Sequence, residues 1–173
     1  MNIEMSRGLI QKAISNEMLS AHSYWVAAYS CHGKGREDVF QHFLEHRQEE
    51  LDHADALAER LGVLGFAPVN DPALWHLDAG QWSPIESDDA TVILEELASE
   101  ETAAIDLYRD AYSRLKSDDV VTADLMKSIL ATEEEHLHEL NELYRGLMLV
   151  EPKQVMDLDD GDIMDIEDEL VAK

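Results

Sequence analysis

Ile129-Leu130-Ala131-Thr132-Glu133-Glu134-Glu135-His136 begins like an ordinary amphipathic helix and then breaks its pattern. Stepped alternately by three and four, the inward face of this segment reads Met126, Ile129, Glu133, His136, Leu140, Leu143, Leu147. A carboxylate and an imidazole stand in the middle of a stripe that is apolar at both ends. An unpaired carboxylate is strongly disfavoured in a low-dielectric core, so something must compensate it.

The same break occurs in three other segments. The stretch from about Arg36 to Leu61, stopping at Gly62, presents Val39, Phe43, His46, Glu50, His53 and Leu57. The stretch from Ile3 to Cys31, stopping at Gly33-Lys34-Gly35, presents Ile10, Ile14, Glu17, Ala21, Tyr24 and Ala28. The stretch from Asp88 or Asp89 to about Lys116 presents Leu94, Leu97, Glu101, Ala104, Tyr108 and Leu115. The last segment starts after Ser117, read as an N-cap with Asp118 and Asp119 in the first turn, and ends near Gly146. Long helices joined by short turns pack as antiparallel neighbours, so the expected fold is an all-α four-helix bundle over residues 1–147.

Four carboxylates at one level of a bundle repel each other. Two divalent cations would resolve this, because four glutamates against two such charges leave the cluster neutral. Glu50 with His53, and Glu133 with His136, are each three residues apart, so each pair projects from one helix face. Carboxylate with neutral imidazole suits iron, and manganese or zinc less decisively. A Glu-x-x-His match is weak by itself. Glu135 with His138 matches too, but lies off the inward stripe and reads as surface. The strength lies in phase and repetition. Glu17 precedes Glu50 by 33 residues and Glu101 precedes Glu133 by 32, so the two halves repeat one order of ligands. Glu100 competes with Glu101, and the step from Leu97 to Ala104 favours Glu101.

Composition agrees. Net charge is −25, from 38 acids against 13 bases, which repels nucleic acid and anionic membranes and attracts cations. The single Cys31 excludes an intramolecular disulfide and cysteine-rich metal sets. No apolar run reaches membrane-spanning length and no secretory core follows Met1, so the cytoplasm is the expected location. Between the halves, the connector Gly65–Ser87 holds Pro68, Pro72, Pro84, Trp75 and Trp82. It must span the bundle if the halves are parallel copies. Asp71-Pro72 predicts a short helix over Ala73 to Leu77, with the tryptophans covering an apolar surface. Residues 148–173 read as an acidic solvated tail, with a docking peptide as the alternative.

The stretches Asn16-Glu17-Met18-Leu19 with Tyr24, Glu50-Leu51-Asp52-His53-Ala54-Asp55, Glu101-Thr102-Ala103-Ala104-Ile105 and Ile129 to His136 resemble the ferritin-like di-iron carboxylate superfamily. Within it, bacterioferritin and the Dps-like branch are most similar, over roughly residues 5–147. The resemblance implies that Glu17 and Glu101 are terminal ligands, Glu50 and Glu133 bridges, and His53 and His136 one nitrogen ligand each, for two irons per subunit. Tyr24 matches the family's tyrosine beside the site, which supplies an electron or a hydrogen bond; a packed core aromatic is the bland alternative. Leu51 stands where bacterioferritin has its haem-ligating methionine, which argues against haem at that place. The long connector resembles Dps-type dodecamers and favours a shell of twelve subunits over twenty-four. The cysteine pair of many Dps-like members and the lysine-rich DNA-binding tail of some Dps proteins are absent.

The implied activity is a ferroxidase that oxidises Fe(II) with O2 or H2O2 and stores the ferric product in a homo-oligomeric shell. Glu45 and Glu49 could lie towards its cavity and pass iron in. The alternatives are a rubrerythrin-like peroxidase, a dimanganese catalase, or a non-catalytic metal-binding cargo bundle docked by its tail.

Overall fold

The computed structural model describes residues 2–69, 71–79 and 82–149. Among the described residues five α-helices follow one another: α1 (Ile3–Ser30), α2 (Arg36–Val63), α3 (Trp75–Ala79), α4 (Ala90–Leu115) and α5 (Val120–Leu149), with a 3-10 turn, Pro72–Leu74, leading into α3. No strand occurs among the described residues.

Local chemistry explains the helix ends, and at several of them corrects the expectation. Asn2 caps α1 by accepting from the Met5 N–H at 3.2 Å, and Asp89 caps α4 by accepting from Thr91 N at 2.8 Å. The second helix runs through Gly62 and stops only at Gly65, whose φ of +87° is left-handed. There Phe66 N donates to Leu61 O and Gly65 N to Gly62 O, closing a Schellman motif with Phe66 folded onto the core. Gly62 has no such partner geometry and stays helical. The start of the last helix is also displaced. Ser117 lies in a turn, and Asp119 takes the capping role, accepting from Thr122 N and Oγ1. Arg60 of α2 holds that carboxylate at 2.8 Å, which a solvated Ser117 could not match.

Where a short helix is expected over Ala73 to Leu77, a 3-10 turn over Pro72–Leu74, capped by Asp71 accepting from Ala73 N, leads into α3 over Trp75–Ala79. α5 continues through Gly146 to Leu149. The acidic tail lies, from residue 150 onward, outside the described residues.

α1 pairs with α2, and α4 with α5; α1 also touches α4 and α2 touches α5. His32 N donates to Asp88 O at one end of the bundle, and Asn2 N donates to Asp118 at the other. α2 and α4 therefore run parallel, and the connector must travel the length of the bundle to join them. It does so along α1: Val69 N donates to Gln11 Oε1, α3 packs on α1, and Trp82 Nε1 donates to Ser23 Oγ.

The apolar core is split in two. One cluster gathers Ile10, Ile14, Leu57, Tyr108, Leu115 and Met126; the other gathers Tyr24, Phe43, Ile93, Leu97 and Leu140. Cys31 is a buried member of the second. Glu17, Glu50, Glu101, Glu133 and His136 are all buried between the two clusters.

Candidate metal centre

The register of four helices brings the six predicted residues to one point. Their ligand atoms form two groups, Glu17–Glu50–His53–Glu133 and Glu50–Glu101–Glu133–His136, each with its atoms within 4.8 Å of one another. Glu50 and Glu133 belong to both. His53 Nδ1 lies 3.1 Å from Glu133 Oε1, 3.4 Å from Glu17 Oε2 and 3.6 Å from Glu50 Oε2. His136 Nδ1 lies 3.2 Å from Glu50 Oε1, 3.4 Å from Glu133 Oε2 and 3.8 Å from Glu101 Oε1. Each central glutamate thus offers one oxygen to each side.

These atoms are near but not satisfied. Glu17 Oε2, Glu50 Oε1, both oxygens of Glu133, His53 Nδ1 and His136 Nδ1 are buried without a hydrogen-bond partner. Buried polar atoms are ordinarily paired, and six orphans aimed at one spot mark a place built for another atom. The donor set, carboxylate oxygens around two imidazole nitrogens, fits first-row divalent ions.

Burial and crowding of like charges shift the protonation of several of these groups. Burial, then the charges of Glu133 and Glu17, push Glu50 well above the usual carboxylate range. Burial, then Glu133, do the same to Glu101. Burial pulls His53 down, but Glu133, Glu17 and Glu50 beside it push it up to about 12. His136 is likewise opposed by burial and pushed up to about 9 by Glu133 and Glu101. Glu133, raised by burial, is held at about 2 by His136 and His53.

Tyr24 lies beside the centre, and its hydroxyl donates to Glu101 Oε1. Sequence reasoning had no role for Tyr108, which mirrors it: its hydroxyl donates to Glu17 Oε1. Each tyrosine follows the glutamate of its own helix by seven residues and bonds the glutamate of the other. That repeated Glu-x6-Tyr spacing was the available signal. Burial, then the carboxylate each touches, raise both phenols well above their ordinary value.

His46 was also missed. Its ring stacks on His136 at 4.3 Å, Nδ1 lies 3.1 Å from Tyr24 Oη and Nε2 lies 3.0 Å from Glu139 Oε2. Burial, then the neighbouring His136, lower its pKa. Glu49 accepts from His136 Nε2 at 2.6 Å, whereas Glu45 is exposed and bonded to Gln41. Glu100 points away, into a pocket with Asn16, Ser20 and Trp82, and burial pushes it up to about 7. Glu135 and His138 are both exposed. No helix among the described residues is long and apolar enough to cross a membrane.

Comparison with known proteins agrees with this architecture. Among curated proteins no sequence match is found. The structure of the bacterioferritin-related protein of Bacteroides fragilis, a dodecameric thioferritin, superposes with a TM-score of 0.81 at 32% identity, covering 86% of this chain and 89% of that one. Dps from Thermosynechococcus elongatus superposes at 0.77 with 21% identity, covering 88% and 95%. Dps from Vibrio cholerae superposes at 0.76 with 18% identity, covering 82% and 92%, and shows the fold alone. The ferritin-like domain family matches residues 8–149, and with the paired Glu and Glu-x-x-His helices in place the chain belongs to that family.

Proposed function

We propose that this protein is a ferroxidase that stores or detoxifies iron, with two Fe(II) ions as its substrate at the buried carboxylate cluster. The observation that carries this reading is the set of six orphaned ligand atoms around one point. In this reading Glu17 and His53 hold one ion, Glu101 and His136 hold the other, and Glu50 and Glu133 bridge them.

Two Fe(II) ions would each give one electron to an oxidant. Hydrogen peroxide would take both with two protons and leave as two waters; dioxygen would take both with two protons and leave as hydrogen peroxide. Carboxylates suit this work because they hold both iron oxidation states and move between terminal and bridging modes. Helix-borne side chains locked by packing keep the two sites at a set separation. Tyr24 and Tyr108 orient the terminal glutamates through the hydrogen bonds that their hydroxyls donate. The ferric product would pass to a mineral core in a homo-oligomeric shell. The net charge of −25 supports cation uptake. The dodecameric Bacteroides fragilis relative supports twelve subunits.

The test is to add Fe(II) anaerobically to apoprotein and then admit oxygen or peroxide, following ferric absorbance, metal stoichiometry and particle size. Rapid oxidation at two irons per subunit, lost in Glu50→Ala, supports the reading. Failure to oxidise with either oxidant sinks it. Oxidation without accumulation of iron in the particle would favour a peroxidase with the same ligands.

A further inference from the structure

A pseudo-twofold axis carries α1 and α2 onto α4 and α5, and the ligand candidates obey it. Glu17 matches Glu101, Glu50 matches Glu133, His53 matches His136, and Tyr24 matches Tyr108. The residues behind them break it. His46 precedes Glu50 by one helical turn, where Ile129 precedes Glu133. Glu49 stands directly before Glu50, where Thr132 stands before Glu133. Glu139 follows His136 by three, where Ala56 follows His53.

This broken symmetry gives the halves different support. On one side His136 Nε2 donates to Glu49 at 2.6 Å, and the His136 ring lies on His46 with 19° between the planes. His46 reaches Tyr24 at 3.1 Å and Glu139 at 3.0 Å, and Tyr24 bonds Glu101. Both terminal ligands of this half, Glu101 and His136, are therefore gripped by one connected network with His46 at its middle. On the other side Glu17 is held by Tyr108, but among the described residues nothing bonds His53 Nε2. The His53 side chain is 13% exposed against 2% for His136. A carboxylate behind a ligating imidazole fixes its ring and raises its basicity, and loss of such support typically lowers metal affinity 10–100-fold.

We infer that His46 is a positioning residue that makes the two metal positions unequal, so that the Glu101–His136 position fills first and tightly while the Glu17–His53 position fills second and exchanges with solvent. The inference rests on the metal-site reading above and not on iron oxidation. A divalent ion that undergoes no redox change therefore tests it separately.

The full chain, metal-free and under anaerobic conditions, is titrated with Co(II), followed by visible ligand-field absorption and calorimetry. Two steps differing at least about tenfold in affinity are expected. Crystals grown with one Co(II) per subunit should show the anomalous peak beside Glu101 and His136. His46→Ala should weaken the tight step about 10-fold or more and leave the weak step nearly unchanged. His46→Asn, whose amide can still reach Tyr24, should recover part of the loss. Tyr108→Phe should do the opposite, weakening the second step alone. Glu49→Gln, at an exposed position that folding tolerates, should repeat the His46→Ala effect if that variant does not fold. A single step with two equivalent ions, a first ion beside Glu17 and His53, or equal weakening of both steps by His46→Ala would overturn the inference while leaving the ferroxidase reading intact. Failure to bind Co(II) at all would overturn both.

Discussion

Tyr108 on α4 donates its phenolic hydrogen to Oε1 of Glu17 on the neighbouring helix α1. Both residues are completely buried. The bond ties the two helices that lack a Glu-x-x-His pair, and Tyr24 with Glu101 forms its mirror image. Tyr108→Phe keeps the ring but strips Glu17 Oε1 of the hydroxyl that donates to it. The metal-free protein should lose about 1–3 kcal/mol, the cost of leaving a buried polar atom without its partner. Urea unfolding of the metal-free variant measures this. An unchanged midpoint would show that the bond contributes nothing.

The metal-free protein should lose stability as the medium becomes alkaline. His136 at about 9 and His53 at about 12 lie above the ordinary imidazole value of about 6.5. Raised groups stabilise fully below their unfolded value, and that contribution is lost as pH rises through the folded value. Raised Glu50 and Glu101 act in the same direction. Glu133, held at about 2, opposes them only in acid, where its contribution is lost as pH falls through that value. Melting with a chelator present should therefore drop between about pH 6.5 and about pH 9, while Mn(II) should hold the melting temperature up and add most at the alkaline end. A chelated sample whose melting temperature ignores pH over that range would contradict this account.

Glu50→Gln should separate folding from metal binding. In the metal-free protein Glu50 is pushed towards its neutral form by burial and by Glu133 and Glu17, so an amide replaces it without stranding a charge. The apoprotein should melt no lower than the parent, yet bind fewer than two metals per subunit because one bridge is lost. Metal analysis after dialysis, paired with calorimetry of the apoprotein, checks both halves. Full occupancy in the variant would remove Glu50 from the ligand set.

Gly35 joins the first hairpin at φ +88°, and a Cβ there would meet both Cδ atoms of Leu147 at 3.0 Å and Ala90 Cβ at 3.2 Å. Gly35→Ala combines a left-handed backbone with an overpacked contact. It should destabilise by about 1–3 kcal/mol. Gly33, also left-handed but with open space around it, is the control. Chemical denaturation of both variants should show the larger loss at Gly35.

Arg60 and the buried Asp119 pair at 2.8 Å, and Arg60 Nε also donates to Thr122. This joins the end of α2 to the start of α5. Arg60→Ala leaves Asp119 with Thr122 as its donor but without its cation, a loss of about 1–3 kcal/mol. The Arg60→Ala and Asp119→Asn double variant should recover part of it. Additive losses in the double-mutant cycle would show that the pair is not coupled.

Much of this molecule was legible without coordinates. Helical period alone put Glu17, Glu50, Glu101, Glu133 and His136 on the buried stripes, and every one of them is buried. Period works because a helix projects side chains by geometry that neighbours barely alter. It also favoured Glu101 over Glu100, which the fold turns into a pocket under the connector. Helix ends were less legible. Gly62 and Gly65 look alike in sequence, as do Ser117 and Asp119 as caps. The choice depended on Phe66 reaching the core and on Arg60 arriving from another helix.

By itself the sequence determined an all-helical bundle with four glutamates and two histidines at one level, because those follow from 3.6-residue periodicity and from the expense of burying unpaired charge. Only the tertiary structure decided which polar side chains meet across the bundle: Tyr108 with Glu17, Tyr24 with Glu101, Glu49 with His136, and His46 with Tyr24, Glu139 and His136. Those pairings depend on side-chain rotamers and on the vertical offset between helices. Both are set by how two apolar clusters interlock around the centre, and a pattern read along one chain segment does not contain them.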